Sequence, residues 1–269
     1  MCFLEFLKVK DIRYDQHGLP MLSDEEIEIV AYRILELYSA KCLEKPMRTP
    51  IVEILKYLKE NFGLKVYFGN LGRKNGGKIV GKTVFPQSAI FLDKEIASRD
   101  EDEGLFRFTV AHEIGHWILQ SGKMIIYEKP LLQTEDTENL FPVGKKLVTP
   151  KDWMEHQANV FAASLLMPKE TVKIALINKQ KEMGIHRNQG KIYLDSQPIN
   201  QRDFYEIVSH LKFIFGVSMR AMRIRLNTLG LIVEEDKGIA SPYDLSIEDI
   251  WKVLRKNHEE KKAQVIPNF

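Results

Sequence analysis

Two histidines stand four residues apart, with a glutamate directly after the first, in the stretch FTVAHEIGHWILQ, Phe108 to Gln120. On an α-helix residues four apart share one face, one turn from each other. His112 and His116 can therefore both point at one ion. Zinc accepts neutral imidazole at about 2.0–2.1 Å, and two such ligands one helical turn apart suit that geometry. Glu113, offset by one residue, can lean over the ion without ligating it and take a proton from a water. Its neighbours Ile114, Gly115, Trp117 and Ile118 are uncharged. An exposed helix carrying two solvated histidines would show more charge there.

A catalytic zinc takes three protein ligands and keeps one position open, so a third ligand must come from elsewhere. The stretch EHQANVFAASLLMP offers Glu155, His156 and Asn159. Its body is Ala, Val, Phe and Leu, which predicts burial, and a buried carboxylate needs a partner such as a metal. Glu155 and Asn159 are four apart and share a face. Glu155 can ligate while Asn159 hydrogen-bonds a ligand histidine from behind. His156 points about 100° away from Glu155 and is the weaker competitor for the third position. The alternative for Glu155 is a first-turn acid that stabilises the helix dipole. Tyr127 and His210 are of the right type to stabilise a transition state, but a structural role suits each better. His17, His186 and His258 lie in polar stretches and receive no role.

These residues need elements to hold them. Residues 24–43 place apolar side chains at helical spacing, with Ser23 and Glu26 as a capping box. Residues 50–61 read as a second helix with Pro50 in its first turn, ended by Gly63. Residues 64–68, LKVYF, and Ser88–Asp93, SAIFLD, read as strands. SAIFLD is the candidate edge strand on which an extended substrate could add, the alternative being an ordinary core strand. GNLGRKNGGKIVG reads as a flexible basic turn, ASRDEDEG as an acidic loop, and 105–120 as the helix of the histidine pair. Residues 121–148 read as irregular. Thr149, Pro150 and Asp152 start the helix that carries Glu155, and Pro168 stops it. Residues 169–183 read as helix, 184–200 as hairpin or long loop, and 202–231 as helix, turn at Gly216, helix. Ser246 caps a last short helix, and the final residues are expected to be loose. Strands and helices are mixed rather than alternating, which predicts an α+β fold.

The bulk numbers narrow the class. The chain has 269 residues, 44% apolar and 28% charged, ordinary for a soluble globular protein. A net charge of +2 gives no argument for nucleic acid or membrane. Two cysteines, Cys2 and Cys42, make neither a disulfide framework nor a cysteine zinc site. They fit a reducing compartment. The N-terminus lacks a signal-peptide core and no apolar run reaches membrane-span length, so the expected location is the cytoplasm.

FTVAHEIGHWIL followed by EHQANVFAASLLMP resembles the ImmA/IrrE family of zincin-like metallopeptidases. TPIVEILKYLKENFGLKVYF and SAIFLD resemble its early helix and strands, and FGVSMRAMRIRLNTLGLI its later helical segment. The resemblance covers roughly residues 46–232. It implies Zn2+ held by His112, His116 and Glu155, with Glu113 as general base: Glu113 takes a proton from water and delivers it to the leaving amine. It implies a core in which a small mixed sheet packs on the helix of the histidine pair and the third-ligand helix, with a helix-turn-helix-like segment after it. The organisation expected is an N-terminal helical extension at 1–45, a metallopeptidase core at 46–170, the helical segment at 171–232, and a C-terminal helix and tail at 233–269. The target implied is a protein such as a helix-turn-helix repressor of a mobile element or stress regulon, cut at one site. The chain departs from the family before residue 46, at 121–148 and at 184–200.

Two rival functions are readable. Arg220, Arg223 and Arg225 lie on the second helix of 202–231, as on a DNA-recognition helix, although three arginines on a helix usually form a solvated face. DNA binding is thus the less favoured reading, and it is compatible with peptidase activity. The other rival is a zinc-bearing protein that binds a partner without cutting it. Glu113 argues against it, since a structural zinc site closes with four ligands and has no use for a base.

Overall fold

The computed structural model describes residues 12–16, 18–74, 77–120, 133–137 and 147–234. In chain order its elements are α1 (Asp24–Tyr38), α2 (Lys41–Glu44), α3 (Ile51–Phe62), β1 (Lys65–Gly69), β2 (Arg73–Lys74), β3 (Gly77–Val84), β4 (Ala89–Asp93), α4 (Lys94–Ser98) and α5 (Glu103–Gln120). Then come β5 (Gln133–Thr137), α6 (Pro150–Leu166), α7 (Lys169–Glu182), β6 (Ile192–Leu194), α8 (Pro198–Phe215), α9 (Met219–Thr228) and β7 (Ile232–Glu234). This is a mixed α+β fold with a small sheet, and no described helix is long and apolar enough to cross a membrane.

The local signals act where the sequence puts them. Ser23 and Glu26 form the capping box of α1, and Thr149 and Asp152 that of α6, with Pro150 at its first position. Gly63 closes α3 in the left-handed region. The first helix is shorter than its periodicity suggests. It stops at Tyr38, Ser39 leaves helical geometry, and the chain restarts in the short α2.

The main sheet runs β1-β4-β3, with β1 parallel to β4 and β4 antiparallel to β3. SAIFLD is therefore not an edge strand. β4 lies between two neighbours with Ala89, Ile90 and Leu92 buried, and its continuous apolar run is the signature of a strand covered on both sides. The basic turn region is partly strand too, since β2 and β3 form a short antiparallel pair. Inside the stretch read as irregular, β5 pairs antiparallel with the outer edge of β3, with a register shift between Ile79 and Gly81. QTEDT has no apolar alternation, so only backbone pairing reveals it as a strand. The segment 184–200 makes no hairpin: β6 pairs parallel with β7. The acidic loop is partly a helical turn at Asp100–Asp102. His17, Tyr127, His258, Cys2 and the helix expected after Ser246 lie outside the described residues.

One apolar cluster runs from Leu22 to Ile232 and draws on α1, α3, the sheet, α5, α6, α7, α8 and α9. Helix α5 lies through its middle, buried from Arg107 to Gln120. It packs on α6 along a close contact at Gly115, where a Cβ would meet the Phe161 ring at 2.9 Å and the Ala158 backbone at 3.3 Å. On its other side α5 meets β3 and β4, while α1 lies along α6. The two helices that carry the motifs thus pack directly on each other, between the sheet and α1.

Candidate metal centre

The face of α5 toward α6 presents His112 and His116, both completely buried, their rings edge-on at 4.5 Å between centroids. Glu155 comes from the first turns of α6. Its Oε2 lies 3.3 Å from His112 Nε2 and 3.4 Å from His116 Nε2. Ligands about 2.0–2.1 Å from a tetrahedral ion lie roughly 3.3 Å from one another, so these atoms are spaced as ligands of one ion. Among the described residues they form the group of His, Cys, Asp and Glu side chains able to hold a metal. Among the described residues, His116 Nε2 and Glu155 Oε1 are buried with no hydrogen-bond partner. Buried polar atoms are normally bonded, and a cation between them would satisfy both. Burial pushes the Glu155 carboxyl up, but the two imidazoles at its oxygen outweigh that and hold it well below the usual carboxylate range. The donor set, two imidazole nitrogens and a carboxylate, suits zinc chemistry.

Glu113 is buried beside this group and held by strand β3. The Thr83 hydroxyl donates to Glu113 Oε2 and lies 3.3 Å from its backbone carbonyl. Two residues earlier, Gly81 passes against the same side chain. A Cβ there would stand 2.5 Å from Glu113 Oε1 and 2.6 Å from Thr109 Cγ2, so only glycine lets the strand run this close. Thr83 and Gly81 were not readable as site residues, because nothing local links a strand to a helix thirty residues on.

The other sequence candidates go elsewhere. His156 does not face the group: its Nε2 is 2.7 Å from Asp24 Oδ1, which ties α6 to the start of α1. His210 is on α8, outside the group. The hydrogen bond expected from Asn159 to a ligand histidine is not formed, since Asn159 Oδ1 is buried and accepts nothing among the described residues. The residue that bonds one of the two rings is Gln120, whose Oε1 is 2.5 Å from His116 Nδ1. Its spacing was a signal in the sequence: Gln120 follows His116 by four residues, as His116 follows His112.

The helix pair α8–α9 does turn at Gly216, yet its arginines do not share an exposed face. Arg220 is exposed, Arg223 bonds Glu234, and Arg225 is buried, donating to the Met167 carbonyl at 3.0 Å and to Glu28 of α1. Arg225 thus fastens α9 to α1 and to the end of α6. Arg225→Ala is expected to cost about 3 kcal/mol, the low end for breaking a buried pair because Glu28 keeps some access to water. Arg220→Ala is expected to change stability by less than about 0.5 kcal/mol. Denaturant unfolding of both variants checks this, and an Arg225→Ala protein as stable as the wild type would remove the structural role.

The family model described as the IrrE N-terminal-like domain, of a peptidase family, matches residues 59–227, more than half of the chain. No curated protein matches. Among solved structures, a Mycobacterium tuberculosis transcriptional regulator aligns at 13% identity and a TM-score of 0.39, over 84% of this chain and 52% of that one. The chain therefore spans about half the length of that protein.

Proposed function

Because the chain belongs to the peptidase family of the IrrE N-terminal-like domain, we propose that it is a zinc-dependent metallopeptidase with His112, His116 and Glu155 as ligands and Glu113 as general base. The observation that carries this reading is the meeting of two buried imidazoles and a carboxylate, all ligand atoms within 4.8 Å of one another, beside a buried glutamate that is not part of the set. A zinc ion held there supplies positive charge that polarises a peptide carbonyl and acidifies a water. The protein's own part is to hold and move protons. Thr83 fixes one oxygen of Glu113, leaving the carboxylate to take a proton from the attacking water and return it to the leaving amine. The enclosure of α5 between α6 and the sheet keeps the base in a low-dielectric setting where its charge acts strongly.

In this reading residues 46–170 form the catalytic core, 171–232 a helical segment with helix-turn-helix-like connectivity, and 1–45 an N-terminal extension whose helix α1 braces α6. The substrate class is a cytoplasmic regulatory protein, such as a helix-turn-helix repressor, cut at one site. Its support is the family alone. The rival is a regulator that binds DNA or a partner around a zinc site and cuts nothing; the burial of Arg225 gives the DNA form of it no help.

The test uses the zinc-loaded full chain with the purified helix-turn-helix repressors encoded near it. The expected result is one repressor split into two fragments, with cleavage stopped by a chelator and restored by zinc. Intact repressors throughout, from a chain that carries zinc, would favour the binding regulator.

A further inference from the structure

We propose that Gln120 and Gln157 are positioning residues for the metal site, forming a directed hydrogen-bond chain that starts at the Pro20 carbonyl and fixes the tautomer of His116. The inference rests on the zinc reading of His116, and it adds residues that neither the motif nor the family match assigns.

The direction of the chain follows from its two carbonyl ends. A carbonyl oxygen only accepts. Gln157 stands 2.6 Å from the Pro20 carbonyl, so the facing atom is its Nε2 and its Oε1 is turned to Gln120. Gln120 stands 3.1 Å from the Met154 carbonyl and 3.2 Å from Gln157 Oε1, and both acceptors require its Nε2. Two independent carbonyls thus give one orientation for each amide, which assigns the amide atoms from the network. The remaining atom of Gln120 is its Oε1, 2.5 Å from His116 Nδ1. Two lone pairs would repel at that distance, so Nδ1 carries the proton. A neutral imidazole has one N–H, so a proton held on Nδ1 makes the Nε2 lone pair the one offered to a cation between it and Glu155 Oε2, 3.4 Å away.

Burial makes the chain decisive. Gln120 is 1% exposed, Gln157 2% and His116 0%. Water cannot replace a lost bond there, and a reversed amide would set like atoms against each other at both ends. A ligand histidine is oriented and made more basic by what its second nitrogen donates to. Here that acceptor is an amide on the same helix, itself held by α6 and by the segment before α1. Pro20 lies outside residues 59–227 matched by the family. The N-terminal extension therefore reaches the metal ligand through two side chains, which gives it a role in the site as well as in packing.

The test reads His116 directly. In metal-free wild-type protein at neutral pH, nitrogen NMR of the His116 ring is expected to show the proton on Nδ1. In Gln120→Leu the other tautomer is expected to gain population. Zinc affinity, measured by competition with a chromogenic chelator, is expected to fall about 10–100-fold in Gln120→Leu. A smaller loss, roughly threefold to tenfold, is expected in Gln157→Leu, where Gln120 keeps its bond to Met154. Thermal melts of the metal-free variants separate these effects from misfolding. If Gln120→Leu does not fold, the wild-type tautomer and Gln157→Leu still decide. A wild-type His116 with no proton on Nδ1, or unchanged zinc affinity in both folded variants, would overturn the proposal. A wild type that takes up no zinc would defeat the peptidase reading, while the tautomer measurement still decides the hydrogen-bond chain.

Discussion

Glu113→Gln is expected to lower cleavage by about 10²–10⁴-fold, the usual contribution of a general acid–base group, while zinc content stays at the wild-type level. The geometry makes this substitution clean. Glutamine has the same shape, and its carbonyl oxygen can accept the Thr83 hydroxyl as Glu113 Oε2 does now. The amide nitrogen then falls where Oε1 lies, beside Gly81. The atoms proposed to bind the metal belong to His112, His116 and Glu155, so the substitution leaves that set untouched. What disappears is the ability to take a proton from water and hand it on. Initial rates and elemental analysis on the same preparation check both halves. Cleavage at the wild-type rate would remove Glu113 from the reaction.

That prediction depends on residues of very different legibility. His112, Glu113 and His116 are visible in the sequence because helical periodicity alone brings them together; no tertiary contact is needed to place two positions four apart on one face. Glu155 is visible for a second reason, a carboxylate at the start of an otherwise apolar helix. Gly81 and Thr83 belong to a strand whose register against α5 is set by packing, and neither residue type announces a partner thirty positions away. Gln120 is within reach, being next in the same spacing, but an amide is not one of the usual zinc ligands, and only its distance to His116 gives it meaning. The expectation for Asn159 failed for the same reason. Sharing a face with Glu155 does not settle which groups the turn of α6 toward α5 brings within bonding distance. β4 is an inner strand, between β1 and β3, as its apolar run argues by requiring cover on both sides, and β5 has no pattern to read. Arg225 looked like one of three solvated arginines until the approach of α1 gave it Glu28.

The second large effect concerns the third ligand. Glu155→Ala is expected to weaken zinc binding about a hundred- to a thousandfold, while His156→Ala leaves it unchanged. Four-ligand structural sites bind zinc with about 10–16 kcal/mol. Each ligand thus accounts for roughly 2.5–4 kcal/mol, on the order of a hundred- to a thousandfold. The two residues are adjacent in sequence and equally able to bind a metal by type, so only geometry separates them. Glu155 Oε2 stands at 3.3 and 3.4 Å from the two imidazole nitrogens, whereas His156 is turned to Asp24. The His156 bond holds the Asp24 carboxyl below its ordinary range. Its loss is therefore expected to loosen α1 against α6 and lower the melting temperature of the metal-free protein. The two variants should then separate cleanly. One keeps its fold and loses its metal; the other keeps its metal and loses stability. Zinc lost from His156→Ala and retained by Glu155→Ala would exchange the two roles and mean that α6 is turned about its axis relative to α5.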